Sequence, residues 1–188
     1  MRRLTLIPIL AVVVTGATLA GNALADDHSS ETSNRPQVLR LYSVANPDAE
    51  VYVRANGAPP PTSSDDVAAA GDVTILEDEL FALRPRTNQP TGDQLGTSNA
   101  QCTFVAVDEP SFAQLRADAI CWGVITLPEG TVTIEGFVTI DFARTPRDVF
   151  AITGGTGAYA GATGTAIVTG LPPDADTESA IYELQFNR

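Results

Sequence analysis

The chain of 188 residues contains no lysine, one histidine, one tryptophan and two cysteines. Without lysine there is no Schiff-base nucleophile, no anchor for pyridoxal phosphate and no phosphate clamp of the P-loop kind. The lone His28 lies in the polar run Asp26-Asp27-His28-Ser29-Ser30, too near the start to join a core, which argues against a Ser-His-Asp triad and against histidine-containing zinc sites. Positive charge is scarce as well. Eleven arginines face 23 acidic residues, for a net charge of −12, and such a surface repels a phosphate backbone, so nucleic acid is excluded as a partner. Chemistry is left to carboxylates, hydroxyls, arginine and the shape of a cavity. No metal or cofactor is expected.

Apolar runs long enough for a membrane occur only at the start. Met1-Arg2-Arg3 is basic, Leu4 to Ala20 is almost wholly apolar, and Ala23-Leu24-Ala25 matches a small-x-small cleavage pattern. Residues 1–25 therefore read as a signal peptide cut after Ala25, giving a secreted protein with no membrane contact after cleavage. An uncleaved anchor is the alternative, disfavoured because Pro8 and Gly16 interrupt the run. Removing Arg2 and Arg3 leaves nine arginines and a charge of −14. In an oxidising compartment Cys102 and Cys121 are expected to form a disulfide, with a reactive thiol or a metal pair as the alternatives.

Residues 26–36 are short, polar and rich in Ser and Thr, as in a disordered linker. From residue 37 to 188 β-like runs alternate with turn chemistry, and no helical stripe of three turns occurs. Strands are predicted near 38–44, 51–54, 73–83, 101–108, 119–127, 131–142, 149–153, 165–171 and 180–186. Eight or so antiparallel strands suit an all-β closed barrel or a sandwich. The stretch from Asn56 to Ala70 is the longest without a strand and reads as a loop across one barrel end.

Strand alternation assigns an inside and an outside. Val132, Ile134, Gly136, Val138, Ile140 and Phe142 share an inward face. Reading Pro128-Glu129-Gly130 as a three-residue hairpin loop sets Leu127 opposite Thr131 and Trp122 opposite Gly136, so Trp122 is expected in the lumen. On 74–81, putting Glu77 and Glu79 outside forces Leu76, Asp78 and Leu80 inside. A carboxylate between two leucines would be desolvated and its pKa raised, making Asp78 the first candidate for acid or base work. Hydrogen bonding to backbone near the rim is the alternative for Asp78. On the last strand Tyr182 shares an inward face with Ala180, Leu184 and Phe186. Arg40 and Tyr42 move together, either both lining the cavity or both facing solvent. For all of these aromatics, simple core packing competes with a binding role.

The segment from Phe150 to Gly164, with Gly154-Gly155-Thr156-Gly157-Ala158-Tyr159-Ala160-Gly161 at its centre, is the most distinctive. A dinucleotide fingerprint needs a parallel βαβ unit, and only 24 residues follow Gly164, so tight turns and bulges at a barrel rim are the better reading. With Gly71-Asp72, Asp78-Glu79-Leu80, Gly96-Thr97, Gln101-Cys102-Thr103, Cys121 and Leu127-Pro128-Glu129-Gly130, it makes the chain from about Leu39 to Arg188 resemble the allene oxide cyclase and dirigent superfamily, above all its bacterial secreted members. Thr163 departs from the arginine common there, and the plant cyclase's catalytic residues are not carried over.

The resemblance implies an all-β, closed, antiparallel eight-stranded barrel that holds a mostly apolar small molecule and directs ring closure or coupling. Such an isomerase or cyclase, of the allene oxide cyclase or 4 + 2 pericyclase type, would act on a fatty-acid- or polyketide-derived substrate and need little beyond a shaped, water-excluding cavity. Asp78 with Arg40 would polarise the guest or move a proton, and Tyr42, Trp122, Phe142 and Tyr182 would shape the cavity. The rival is a non-catalytic member: a dirigent-like guide, a lipophile carrier or a barrel with a filled lumen. Whether the Phe104 and Phe137 faces assemble a homo-oligomer stays open.

Overall fold

The computed structural model describes residues 38–60, 67–84, 86–109, 115–141, 144–172 and 178–187. The expected signal peptide, the linker and Phe142 lie outside the described residues. Nine strands form among them: β1 (Val38–Ala45), β2 (Val51–Val53), β3 (Val73–Leu83), β4 (Pro90–Glu109), β5 (Arg116–Leu127), β6 (Gly130–Asp141), β7 (Arg147–Gly155), β8 (Gly164–Gly170) and β9 (Ser179–Phe186). Every pairing is antiparallel, in the order β1-β9-β8-β7-β6-β5-β4-β3, and β1 pairs back onto β3 from Leu41–Ala82 to Ala45–Asp78. That last ladder closes an eight-stranded barrel. The short β2 continues along β3 where β1 stops, with Val51 opposite Ile75. A 3-10 turn at Pro47–Ala49 separates the two, and Pro47 has no N–H to extend the β1 ladder.

Each predicted strand has its counterpart, and the alternation on β6 is as read: Val132, Ile134 and Val138 are buried while Glu135, Phe137 and Thr139 are exposed. The largest difference is β4, which begins at Pro90 rather than near Gln101. Residues 90–97 are exposed or half-buried on both faces, so they carry no apolar period, and they are strand because their backbone pairs with β3. Register shifts around Phe81 absorb the irregularity.

The second difference is the β5–β6 hairpin. Leu127 pairs with Gly130, not Thr131, so the loop is the two residues Pro128-Glu129. Gly130 is a strand residue at φ 145°, and a Cβ there would lie 2.1 Å from the Thr156 carbonyl oxygen. Its glycine is required by the close approach of the glycine-rich segment, and not by a loop position. One residue of slip reverses a whole strand face. Trp122 therefore opposes Glu135 and stands 52% exposed on the outer wall, while Cys121 takes the place opposite Gly136. The ring that packs over Gly136 is that of Phe150, whose Cδ1 would be 2.9 Å from a Cβ at that position.

Two apolar clusters occupy the interior. The first joins Leu41, Leu80, Ile125, Leu127, Val132, Ile152, Ala166, Leu184 and Phe186 at the barrel end where β6 begins. The glycine-rich segment caps that end: Ala158 N–H donates to the Glu129 carbonyl at 2.8 Å, Thr156 N–H to the Thr131 carbonyl at 2.9 Å, and the Tyr159 ring stacks on Phe186 at 5.6 Å. The second cluster, built on Phe104, Leu115, Ala117, Ala119 and Val138, includes the Cys102–Cys121 disulfide. These cysteines are direct cross-strand partners with Cα atoms 4.1 Å apart.

Asp72 ties β2 to the body of the barrel. Its carboxylate accepts hydrogen bonds from the Tyr52 hydroxyl at 2.7 Å, Ala55 N–H at 2.8 Å and Ala69 N–H at 3.0 Å. Burial works against the charge, but these donors and Arg54 together hold the Asp72 pKa below its ordinary value.

Candidate functional site

Asp78 and Tyr182 meet inside the barrel although 104 positions separate them in sequence. The Tyr182 hydroxyl donates to Asp78 Oδ2 at 2.9 Å. Because that hydroxyl has one proton to give, Ser98 Oγ, 3.3 Å away, donates to the tyrosine oxygen. Ser98 is the cross-strand partner of Asp78 on β4, and the hydroxyl of buried Ser43 on β1 also hydrogen-bonds the Asp78 carboxylate. The result is a relay from Ser98 through Tyr182 to Asp78, flanked by Ser43. Burial raises the Asp78 pKa, the hydroxyls of Tyr182 and Ser43 oppose that rise, and nearby Glu178 adds to it, leaving a net upward shift. Burial and the neighbouring Asp78 charge hold the Tyr182 proton tightly, so the phenol is a donor at any ordinary pH.

The relay sits where the inward face changes character. Towards the glycine-capped end the inward residues Leu80, Val132, Ile152, Ala166 and Leu184 are at most 3% exposed. In the opposite direction, inward positions Leu76 and Asp78 on β3, Asp148 and Phe150 on β7, Val168 on β8 and Ala180 on β9 are partly reached by solvent, Leu76 at 37%. Solvent therefore reaches this end of the lumen along the β3 and β7–β9 walls, which makes it the accessible end, while the β4–β6 wall is packed by the second cluster.

The other expected site residues do not gather here. Arg40 and Tyr42 alternate with buried Leu41 and Ser43, so both lie on the outer wall. Arg40 pairs there with Glu183 at 3.5 Å and cannot assist Asp78. It lines an outer groove of about 200 Å³ with Arg147, Ile167 and Ile181. Trp122 is on the outer wall for the register reason above. Ser98, Ser43 and Asp148 were not singled out in the sequence. Ser98 is hidden in the part of β4 that lacks periodicity, whereas Ser43 follows once Arg40 and Tyr42 are known to face out. Asp148 alternates with Phe150 and Ile152, a signal that was legible. Burial raises its pKa too.

Beyond Glu135–Ala151 the β6 and β7 ladders part. A cleft of about 350 Å³ there is lined by Phe137, Val138, Arg144, Arg147, Asp148 and Val149 among others. Among the described residues no group of three or more His, Cys, Asp or Glu side chains is arranged to hold a metal ion.

Comparison with known proteins agrees with this architecture. No curated protein matches the chain. Among solved structures it is similar to one titled "Pyocyanin demethylase", with 23% identity, a TM-score of 0.55, and 80% of this chain and 99% of that one covered. It is also similar to a pterocarpan synthase dirigent protein, at 19% identity and a TM-score of 0.55 over 80% of this chain and 96% of the other. A third is described as a nonspecific heme-binding cyclase catalysing 4 + 2 cycloaddition during neoabyssomicin biosynthesis, at 15% identity and a TM-score of 0.53 over 82% of this chain and 66% of the other. At such identities the likeness is one of fold. The sequence model of the allene oxide cyclase barrel like domain matches residues 60–182, well over half of the chain, and the chain belongs to that family.

Proposed function

We propose that the protein is an exported barrel that binds a mostly apolar small molecule at its accessible end and acts on it as a cyclase or isomerase. The observation that carries this reading is the hydrogen bond from Tyr182 to Asp78 at the boundary between packed and solvent-reached lumen. A carboxyl with a raised pKa exchanges protons nearer neutrality than an ordinary one, which suits an acid or base held against a bound guest. Tyr182 orients it and Ser98 orients Tyr182. The walls supply the rest, since holding a flexible guest in one reactive conformation removes much of the entropic barrier to ring closure. The cyclase and dirigent barrels of the same fold support the assignment by analogy.

The test begins with native mass spectrometry of the chain purified from its own host, to find a small molecule that travels with it, and N-terminal sequencing, which should begin at Asp26. With that compound in hand, Asp78→Asn is expected to slow its conversion at least a hundredfold while changing its affinity less than threefold. Equal losses in both, or none, reject acid–base work. A non-catalytic guide or carrier is the second reading, favoured by the packing of the capped half. It predicts a bound compound that is never converted.

A further inference from the structure

We propose that the outer wall of β5 and β6 is the contact surface for a second copy of this chain, related by a two-fold axis that passes beside Phe137. Large apolar side chains stand on this wall in one connected group. Ile120 and Phe137 are direct cross-strand partners, 54% and 61% exposed, and Trp122 is the next outward residue on β5 at 52%. Val105 on β4 and Val149 on β7, both exposed, continue the group to either side. With about half of each side chain uncovered, the five leave roughly 500 Å² of apolar surface, at the upper end of what a monomer's largest patch presents. Together with its polar margin such a wall supplies the about 800 Å² per partner that a stable dimer buries. Phe104, the other ring considered for assembly, is buried inside the barrel and takes no part.

The same wall contains an opening that a partner would cover. Past Glu135–Ala151 no pairing joins β6 to β7 among the described residues, so the facing backbone edges of these strands have no ladder, and Phe137 and Val149 flank the resulting cleft of about 350 Å³. Strand edges left open beside exposed apolar side chains favour a neighbouring chain.

Charge selects a copy of this chain as that neighbour. The molecule carries −12 overall, yet on and around this wall Arg116, Arg144 and Arg147 offset most of Asp108, Asp118, Glu135 and Asp141. Two copies therefore repel one another least through this face, whereas a basic protein would be drawn to the acidic remainder of the surface. Arg116 is held by Asp108, Arg144 by Asp141, and Asp118 accepts from the Thr139 hydroxyl at 2.7 Å. Glu135 and Arg147 are left, with no ion pair among the described residues. They stand on either side of Phe137: Glu135 is opposite Ala151, and Arg147 lies four residues, about 13 Å, further along β7. A two-fold axis running across the strands beside Phe137 sets Glu135 of each copy over Arg147 of the other, so one contact forms twice, as an isologous interface requires. The two Phe137 rings meet at its centre.

The test is sedimentation velocity on the chain purified from its own host, over about a hundredfold range of concentration, with the emission of Trp122, the only tryptophan, as a second readout. A reversible dimer is expected, and the emission should move to shorter wavelength as it forms. Phe137→Glu, at a position too exposed to matter for folding, should weaken association at least a hundredfold and remove the emission shift, whereas Val38→Glu on the opposite side of the barrel changes neither. Glu135→Arg and Arg147→Glu should each weaken the dimer at least fivefold, and the two together in one chain should restore it, because the pair is remade with its charges exchanged. A chain that stays monomeric overturns the inference, and so does an assembly indifferent to Phe137→Glu. A closed trimer, or a Phe137-dependent assembly that the double variant does not restore, overturns the two-fold arrangement. Trp122 emission that shifts on phosphatidylcholine vesicles while the chain alone remains monomeric gives the wall to a membrane and overturns the inference as well.

Discussion

The two ends of the barrel are built from the same strands to opposite purposes. At the capped end the glycine-rich segment lies across the β5–β6 hairpin, Tyr159 fills the opening, and inward side chains are sealed. At the other end the second apolar cluster packs the β4–β6 wall, while the inward positions of β3 and β7–β9 include carboxylates, hydroxyls and part-exposed apolar groups. Burying the first set stabilises the fold, and that surplus tolerates the desolvated acids of the second. On the proposed reading, rigidity and chemistry are separated along one axis, as expected when a reactive group must be held by neighbours that do not move.

The contrast can be broken at several points. Leu184→Ala at the sealed end should cost about 2–5 kcal/mol in chemical denaturation, since it leaves a cavity in close-packed surroundings. Removing both cysteines, Cys102→Ala with Cys121→Ala, should cost roughly 3 kcal/mol and shift the unfolding midpoint by the same amount that reductant shifts the parent. Asp72→Asn should cost about 1–3 kcal/mol, because its amide nitrogen must face either the Ala55 N–H or the Ala69 N–H and Tyr52 hydroxyl where an acceptor oxygen now stands. Leu76→Ala at the accessible end should cost less than about 1 kcal/mol. A loss as large as that at Leu184 would mean both ends are packed alike.

The two buried aspartates sharpen the comparison through pH. Asp72 has a folded pKa below its unfolded value, so its contribution is present above the ordinary carboxylate range and is lost as pH falls through and below it. Asp78 has the opposite sign. Its folded pKa is raised, so its protonated form favours folding, and stability from this group declines as pH rises from the ordinary carboxylate range through the raised folded value. In a series of unfolding midpoints against pH, Asp72→Asn should therefore flatten the acid limb and Asp78→Asn the decline above it, the second being the smallest of these effects.

Much of the barrel was written in local pattern. Nine apolar or alternating runs correspond to nine strands, and the odd-even split on β3, β6 and β9 put Asp78 and Tyr182 on inward faces before any pairing was known. Trp122 shows where local pattern stops. Its strand has large apolar residues on both faces, Ile120 and Trp122 outside against Ile125 and Leu127 inside, so alternation is ambiguous and the facing depends on the hairpin register. That register was set by Gly130, whose reason for being glycine is a carbonyl 26 residues further along the chain. Arg40 and Tyr42 were coupled by alternation, yet their side of the wall was decided by which face of β1 met β3 and β9.

The amino-acid order by itself determined which segments extend, which side chains travel together, and which chemistries the chain cannot perform, because propensity, alternation and the lack of lysine are properties of near neighbours or of composition. Only closure of the sheet decided that Ser98, Tyr182 and Asp78 share hydrogen bonds, that Arg40 leaves Asp78 without a counter-charge, and that one end is sealed while the other admits solvent. Those facts depend on contacts between residues distant in sequence, and such contacts take their register from backbone ladders and close approaches that side-chain pattern does not encode.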